Sequence, residues 1–209
     1  MSFFLSLARG DFEARNLLKE AVLARYAARP VPLERLKLTL KRRKRILFGL
    51  PLEIAVEAAY AEPDQWSWRE RHKLFGVVIG GQREALAEQT DPALRESLHR
   101  QQWAFRALML TPLTREGVTV RAVAERAFQA VHDDQPEAIA TIYLKPDYNV
   151  AAVEIERYRA ADKRRLPYTL RPEGGYQTFD GINLPAQIAE QWGSEPSLLY
   201  AVKAAQADW

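Results

Sequence analysis

The fold is decided first by residues 35–41, which read Arg-Leu-Lys-Leu-Thr-Leu-Lys. Leucine occupies every second position, and a polar or charged residue occupies each position between. Successive side chains of a strand point to opposite faces, so this alternation predicts a β-strand with one buried and one solvated face. Residues 54–60 alternate in the same way after Gly49 and Pro51. The two segments therefore predict an antiparallel pair.

A run of basic residues separates the two predicted strands and is expected to form their connection. It consists of Lys41, Arg42, Arg43, Lys44 and Arg45. Five like charges repel one another, so the run lies either in solvent or against an anionic lipid headgroup, nucleic acid or acidic protein surface. Residues 1–50 hold 12 of the 30 Lys and Arg residues and 4 of the 27 acidic ones. With a net charge of only +3 for the whole chain, no nucleic-acid partner is expected.

A helix is predicted over residues 11–28, before the strand pair. Asp11 can cap its first amide groups, and Pro30 and Pro32 follow its end. The apolar spacing indicates one buried face. The members of that face are Ala14, Leu17, Leu18, Ala21, Val22 and Arg25 or Tyr26.

A second helix is predicted over residues 91–110. Asp91 is its candidate cap, Pro92 lies in its first turn, and Pro112 ends it. The two-residue period precedes and follows this helix, which predicts a first meander over residues 35–89 and a second over residues 117–207.

The turns within the meanders are marked by glycine, proline and polar residues. Gly80 and Gly81 predict a two-residue hairpin turn between residues 72–79 and 82–89. In the second meander, residues 160–167 predict a loop and Asp180-Gly181 a tight turn. The sequence predicts one domain over residues 1–209, with eight to ten strands in one antiparallel sheet and two helices, because meander, helix, meander is not βαβ alternation.

The chain resembles the LolA/LolB-type periplasmic lipoprotein carriers and the outer-membrane lipoprotein-sorting proteins. The resemblance rests on the order of elements, on residues 60–66 (Tyr-Ala-Glu-Pro-Asp-Gln-Trp) and, most specifically, on residues 176–185 (Tyr-Gln-Thr-Phe-Asp-Gly-Ile-Asn-Leu-Pro). It implies an α+β, mainly antiparallel fold. A curved open half-barrel sheet would carry the N-terminal and mid-chain helices on its concave face.

A curved sheet that does not close has a concave apolar face, which helices fill or cover as a lid that acyl chains displace. The candidate ligand-binding residues on this face are Leu36, Leu38, Leu40, Ile54, Val56, Trp66, Trp68, Ile142, Leu144, Ile182, Leu184 and Ile188. The alternative is that these residues are simply the core beneath the two helices. Trp66, Trp68 and Trp103 are expected to form either a core cluster or an aromatic wall for an apolar ligand.

No catalytic constellation is found in the sequence. There is no cysteine, and His72, His99 and His132 lack metal-ligand spacing. No nucleophile elbow, P-loop or dinucleotide-binding motif occurs. We therefore expect no catalytic residue, no metal and no cofactor. The enzyme hypothesis requires that His72 or His132 lie within hydrogen-bond reach of a carboxylate in a cleft.

The sequence favours a non-enzymatic protein that binds a lipid or the acyl chain of a lipidated protein. The alternative is a module of the same fold that has a filled core and binds a protein partner through its basic tip and sheet edges. No run is long and apolar enough to predict a transmembrane segment. The protein is expected to be periplasmic if a signal peptide was removed from it, and cytoplasmic otherwise.

Overall fold

The computed structural model describes residues 8–26, 34–45, 50–61, 65–179 and 182–208. The first half of the chain forms β1 (Arg9–Gly10), α1 (Phe12–Tyr26), β2 (Arg35–Arg45), β3 (Pro51–Ala61), β4 (Gln65–Leu74) and β5 (Val77–Ala85). The second half forms α2 (Pro92–Met109), β6 (Val118–Ala124), β7 (Ala127–His132), β8 (Gln135–Leu144), β9 (Val150–Arg159), β10 (Arg164–Phe179), β11 (Ile182–Trp192) and β12 (Leu198–Asp208).

All of these strands belong to one unclosed, curved sheet. Its order is β1-β6-β7-β8-β9-β10-β11-β12-β2-β3-β4-β5. Every neighbouring pair is antiparallel except β1 and β6, which are parallel. The two meanders join where β12 pairs with β2. The predicted α+β half-barrel is confirmed.

Helix α2 connects the two ends of the sheet. It follows β5, which lies at one edge, and precedes β6, which lies near the other. On the way it packs against β8, β9 and β10 on one side and β4 on the other, so it crosses the concave face. Helix α1 packs against β6, β7 and β11. One apolar core runs through both helices and the sheet.

Both helix starts follow the predicted capping chemistry. The Asp11 carboxylate accepts a hydrogen bond from the Ala14 amide at 2.7 Å and another from the Ala122 amide at 3.0 Å. Asp91 accepts from the Ala93 amide at 2.9 Å, and Pro92 follows it in the first turn of α2. An acceptor at this position satisfies amide groups that have no partner within the helix.

The predicted turn at Gly80-Gly81 is wrong. The hairpin turn lies at Phe75 and Gly76, both of which have positive φ (50° and 82°). Gly80 and Gly81 instead lie inside β5, opposite His72 and Arg71. A Cβ atom on Gly81 would lie 2.2 Å from the Glu70 carbonyl oxygen, so glycine is required there by the approach of β4 and not by a turn.

Three further expectations are corrected by the strand boundaries. The basic run lies within β2, paired with the start of β3, and is not the connection itself. Residues 164–167, expected in a loop, already belong to β10 and pair with β9. Twelve strands occur within the described residues, against the eight to ten expected. Asp180-Gly181, Pro30, Pro32 and Gly49 lie outside the described residues, and the one-domain assignment of residues 1–209 stays a prediction.

Candidate functional site

The twelve predicted ligand-binding residues are all buried on the concave side of the sheet. Each is 6% exposed or less, and all belong to the one apolar core. Leu36, Leu38, Trp66 and Trp68 lie beside the C-terminal half of α2. Leu40, Ile54 and Val56 lie on β2 and β3, and the other five lie on β8 and β11. The members are Leu36, Leu38, Leu40, Ile54, Val56, Trp66, Trp68, Ile142, Leu144, Ile182, Leu184 and Ile188. Their role in binding a ligand stays a prediction.

An apolar cavity lies between β2–β4 and the C-terminal half of α2. Its volume is about 10 Å³, roughly the space of one water molecule. The residues that line it are Leu36, Leu38, Ala58, Tyr60, Trp66, Gln102, Phe105, Arg106, Met109 and Pro112. With α2 in this position, the helix fills the concave face.

An aromatic cluster forms one wall of this cavity. The ring centroids of Trp66 and Trp68 lie 5.2 and 5.8 Å from that of Phe105, and Trp68 also contacts Tyr200 at 5.9 Å. Trp103, which was predicted to join the two tryptophans, lies elsewhere. It contacts His132 at 5.9 Å and donates to the Ala130 carbonyl at 3.2 Å.

Phe105 takes the place beside Trp66 and Trp68 that was predicted for Trp103, and the helical period explains why. Two residues along a helix correspond to a rotation of about 200°, so these side chains leave α2 in nearly opposite directions. Phe105 faces β4, and Trp103 faces β7. The aromatic spacing of the sequence does not reveal which side of α2 faces which strand.

Polar side chains on α2 also reach the cavity. Gln102 is 3% exposed, and its Nε2 has no hydrogen-bond partner within the described part of the chain. The Arg106 guanidinium lies 5.4 Å from the Tyr60 ring centroid and 5.1 Å from that of Trp103. These two residues were not predicted, because polar residues in a helix are normally expected to face solvent.

A basic surface depression adjoins the cavity. It has a volume of about 530 Å³ and shares Leu36 and Tyr60 with the cavity wall. Arg35 and Lys37 lie on its rim, together with Gln206 of β12. The shared side chains separate the apolar interior from a positively charged surface.

Helix α1 is held against the end of α2 by a buried arginine. Arg25 donates from Nη1 to the Leu108 carbonyl and from Nε to the Asn183 carbonyl at 3.1 Å. The side-chain amide of Asn183 donates from Nδ2 to the Arg25 carbonyl at 2.7 Å. The Tyr26 hydroxyl donates to the Met109 carbonyl at 2.9 Å. The carbonyls of Leu108 and Met109 belong to the last turn of α2, where a positive charge is favourable.

Two charged side chains, Arg157 and Glu190, are buried in the other half of the sheet. Arg157 of β9 donates to the Ser97 carbonyl of α2 at 3.1 Å and lies over the rings of Tyr168 and Trp192. Glu190 of β11 is also buried and accepts from the Trp192 indole at 3.3 Å. Burial raises the pKa of Glu190, and the Arg157 charge opposes that rise.

Within the described residues, some members of the basic run have a partner in the protein and others are exposed to solvent. Lys41 contacts Glu53 at 3.2 Å, and the Arg42 guanidinium lies 5.4 Å from the Tyr200 ring centroid. Arg43 and Lys44 are exposed. The Arg45 side chain lies outside the described residues. Among the described side chains of the run, Arg43 and Lys44 are therefore the two most exposed.

Exposed apolar residues lie at the same end of the sheet. Lys44 pairs with Leu52 of β3, Leu52 with Leu74 of β4, and Leu74 with Val77 of β5, so these positions form one row. Phe75, in the turn beyond this row, is 73% exposed, and Val77, Val78 and Ile79 at the start of β5 are 57–65% exposed. Residues 75–79 read Phe-Gly-Val-Val-Ile. This apolar run without alternation was the feature of the sequence from which the exposed patch could have been predicted.

His72 and His132, which the enzyme hypothesis singled out, each lie near a carboxylate. His72 Nε2 lies 3.4 Å from Glu70 Oε2, and His132 Nδ1 lies 3.5 Å from Asp134 Oδ2. Neither imidazole lines the apolar cavity or the basic depression. Within the described ranges, no three His, Asp or Glu residues are grouped as metal ligands.

Three solved structures are similar to this chain. A LolA superfamily protein from Nitrosomonas europaea is 9% identical with a TM-score of 0.39, over 93% of each chain. An outer membrane lipoprotein-sorting protein domain from Vibrio parahaemolyticus is 10% identical with a TM-score of 0.42, over 94% of this chain and 92% of the other. A DUF1329 family protein from Desulfovibrio piger is 8% identical with a TM-score of 0.45, over 94% and 93%.

Two of these descriptions name the families to which the sequence was likened. No protein-family model and no curated protein matches the chain. Among the described residues, neither helix has the length and apolar character to cross a bilayer.

Proposed function

We propose that this chain is a non-enzymatic carrier of lipid or of the acyl chain of a lipidated protein, and that it binds the chain between α2 and strands β2–β4. The observation that carries the proposal is the apolar cavity beneath α2, walled by aliphatic and aromatic side chains and adjoining a basic depression. A cavity of about 10 Å³ is far smaller than an acyl chain, so binding requires α2 or its side chains to move outward.

Such movement is physically reasonable because it exchanges one apolar contact for another. Phe105 and Met109 would give up contacts with Trp66 and Leu38, and the methylene groups of the ligand would replace them. Burial of a methylene group is worth about 0.8 kcal/mol, so a long chain offsets the opening of the cleft. The residues that would contact the ligand are the seven predicted ones on β2, β3 and β4: Leu36, Leu38, Leu40, Ile54, Val56, Trp66 and Trp68.

The five predicted residues on β8 and β11 lie farther along the same face. Ile142, Leu144, Ile182, Leu184 and Ile188 belong to the core shared with both helices. In the proposed carrier they form the deep end of the site, which a chain reaches only after α2 has moved. The basic end of β2 would meet the anionic headgroups from which the chain is taken.

The binding experiment titrates delipidated protein with dodecanoate and monitors binding by displacement of N-phenyl-naphthylamine. Native mass spectrometry of the protein as purified tests separately for bound lipid. Ala58→Leu adds bulk to the cavity wall, and Ala140→Leu adds the same bulk to a buried site on β8 that does not line the cavity. We expect Ala58→Leu to weaken binding more than Ala140→Leu. Absence of both co-purified lipid and dodecanoate binding would refute the proposal.

A protein-binding module with a filled core is the second candidate function. The observation that favours it is the edge strand β5, which ends the sheet order and exposes Val77, Val78 and Ile79. An exposed apolar edge offers backbone groups and side chains to an added strand. This function predicts that Val78→Lys abolishes partner binding and that the cleft takes up no acyl chain.

A further inference from the structure

Gln102 is a buried polar residue on an otherwise largely apolar wall. The residue is only 3% exposed. It lines the cavity together with Leu38, Phe105 and Met109. Its Nε2 donates to no acceptor within the described residues. A buried amide donor without an acceptor destabilises the closed protein. A ligand that supplies an acceptor removes this penalty.

The neighbouring amide shows the contrast. The Gln101 side chain accepts a hydrogen bond from the Trp66 indole at 3.2 Å, so it ties α2 to β4. Within the part of the chain that the structure describes, the Gln102 Nε2 makes no hydrogen bond. The two glutamines are adjacent on one helix, and only Gln102 lines the cavity.

The charges around the cleft favour an oxygen acceptor. Arg106 lies one helical turn after Gln102, on the same side of α2, and lines the same cavity. Arg35 and Lys37 lie on the rim of the adjoining depression. No acidic side chain lines either space within the described residues. The charged side chains that line these two spaces are basic, which favours carboxylate and carbonyl oxygens over cationic groups.

We propose that Gln102 donates a hydrogen bond from Nε2 to the carbonyl or carboxylate oxygen of the bound acyl chain. This assignment rests on the proposed acyl-binding function and specifies its ligand: an apolar chain that carries an acceptor oxygen. A free fatty acid and the ester-linked chain of a lipidated protein share this chemistry. A long-chain amine does not.

The test compares three probes of equal chain length: dodecanoate, methyl dodecanoate and dodecylammonium. Their affinities are measured by displacement of N-phenyl-naphthylamine from wild type, Gln102→Met and Gln129→Met. Methionine keeps the approximate volume of glutamine without the amide. Gln129 of β7 lines neither the cavity nor the basic depression, so its replacement is the matched control.

For wild type and Gln129→Met, we expect both acceptor-bearing probes to bind about tenfold more tightly than dodecylammonium. Gln102→Met should weaken binding of the two acceptor-bearing probes several-fold and leave binding of dodecylammonium unchanged, so the preference narrows. It should not be less stable than wild type, because it removes a buried donor that has no acceptor within the described residues. Tighter binding of dodecanoate than of its ester identifies a free fatty acid as the source, and the reverse identifies an esterified chain.

An unchanged preference in Gln102→Met overturns the assignment of Gln102 while leaving acyl binding intact. Failure of every probe to bind wild type instead overturns the proposed function. Circular dichroism melting of each variant establishes that the comparison is between folded proteins.

Discussion

At the residue scale, Arg25 holds the end of α1 against the end of α2. Its guanidinium donates to two backbone carbonyls, of Leu108 and Asn183, that belong to different elements. Breaking hydrogen bonds from a charged donor costs about 1.5–3 kcal/mol when the acceptors remain buried. The placement of this arginine on the apolar stripe of α1 was visible in the sequence, but its backbone partners were not.

We expect Arg25→Met to lower the free energy of unfolding by about 2 kcal/mol, since methionine retains the packing and loses the donors. Arg15→Met, on the exposed face of the same helix, should change it by less than about 0.5 kcal/mol. Urea unfolding followed by circular dichroism measures both. Equal effects of the two replacements would contradict the role assigned to Arg25.

Glu190 is expected to make the free energy of unfolding depend on pH. Burial raises the pKa of Glu190 above its ordinary value, and Arg157 opposes the shift. A carboxyl whose pKa is higher in the folded than in the unfolded state is favoured there in its protonated form, so it costs stability once the pH has risen through the folded pKa. That cost is absent below the unfolded pKa.

Wild type should therefore gain stability relative to Glu190→Gln as the pH falls from about 7 to about 4. The measurement is the difference in free energy of unfolding between the two proteins across this range. Glu125→Gln, at an exposed position in the β6–β7 turn, is the control. A difference independent of pH would show that Glu190 has the same pKa in both states.

At the scale of elements, the β4–β5 hairpin depends on one close contact. A Cβ atom at Gly81 would overlap the Glu70 carbonyl oxygen, whereas a Cβ atom at Gly80 meets nothing within 4 Å. Overpacking of this kind costs about 1–3 kcal/mol. Gly81→Ala should therefore destabilise the protein by that amount, and Gly80→Ala should be nearly neutral in thermal unfolding. A turn at these glycines would instead make both replacements destabilising.

The error in that turn shows what the sequence leaves undetermined. Alternation predicted β2 and the core of β3, because each has one buried and one wet face. In β5 the run Val77-Val78-Ile79 has no alternation, and the glycine pair gave the stronger local turn signal. The positive φ of Phe75, a bulky residue, is imposed by pairing of the strands and is not signalled by its type.

The candidate site was predictable on its strands and not on its helix. The leucines of β2 and the two tryptophans of β4 follow from period two. Gln102 was not predicted, because polar residues on an amphipathic helix normally face water. Helix α2 lies in the groove of a curved sheet, so most of the circumference of its C-terminal half is buried. That environment depends on the sheet and cannot be read from the helix alone.

The basic end of β2 carries a prediction about membranes. Arg43 and Lys44 are exposed, so Arg43→Gln/Lys44→Gln should weaken sedimentation with phosphatidylglycerol vesicles, since each basic residue near an anionic surface contributes about 1 kcal/mol. Arg15→Gln/Lys19→Gln removes the same charge from the exposed face of α1 and should have a smaller effect. Equal loss in both variants would indicate dependence on net charge and no contact by β2.

At the scale of the whole molecule, α2 and the curved sheet enclose the apolar core together. The connection between two edges of an open sheet crosses its concave face and fills it. Helix α2 belongs to no strand ladder, so the outward movement proposed above would leave the hydrogen bonds between strands intact. The same apolar surface is therefore core in the closed protein and ligand site in the proposed open one, which unites the two interpretations of the twelve concave-face residues.

The most direct measurement uses tryptophans already in the cleft. Bromine quenches tryptophan fluorescence at short range, so dibromostearate reports whether an acyl chain reaches Trp66 and Trp68. We predict saturable quenching in wild type, displaced by unbrominated stearate, and much weaker quenching in Trp66→Phe/Trp68→Phe. Absence of quenching in wild type, or equal quenching in the folded double variant, would contradict acyl binding beneath α2.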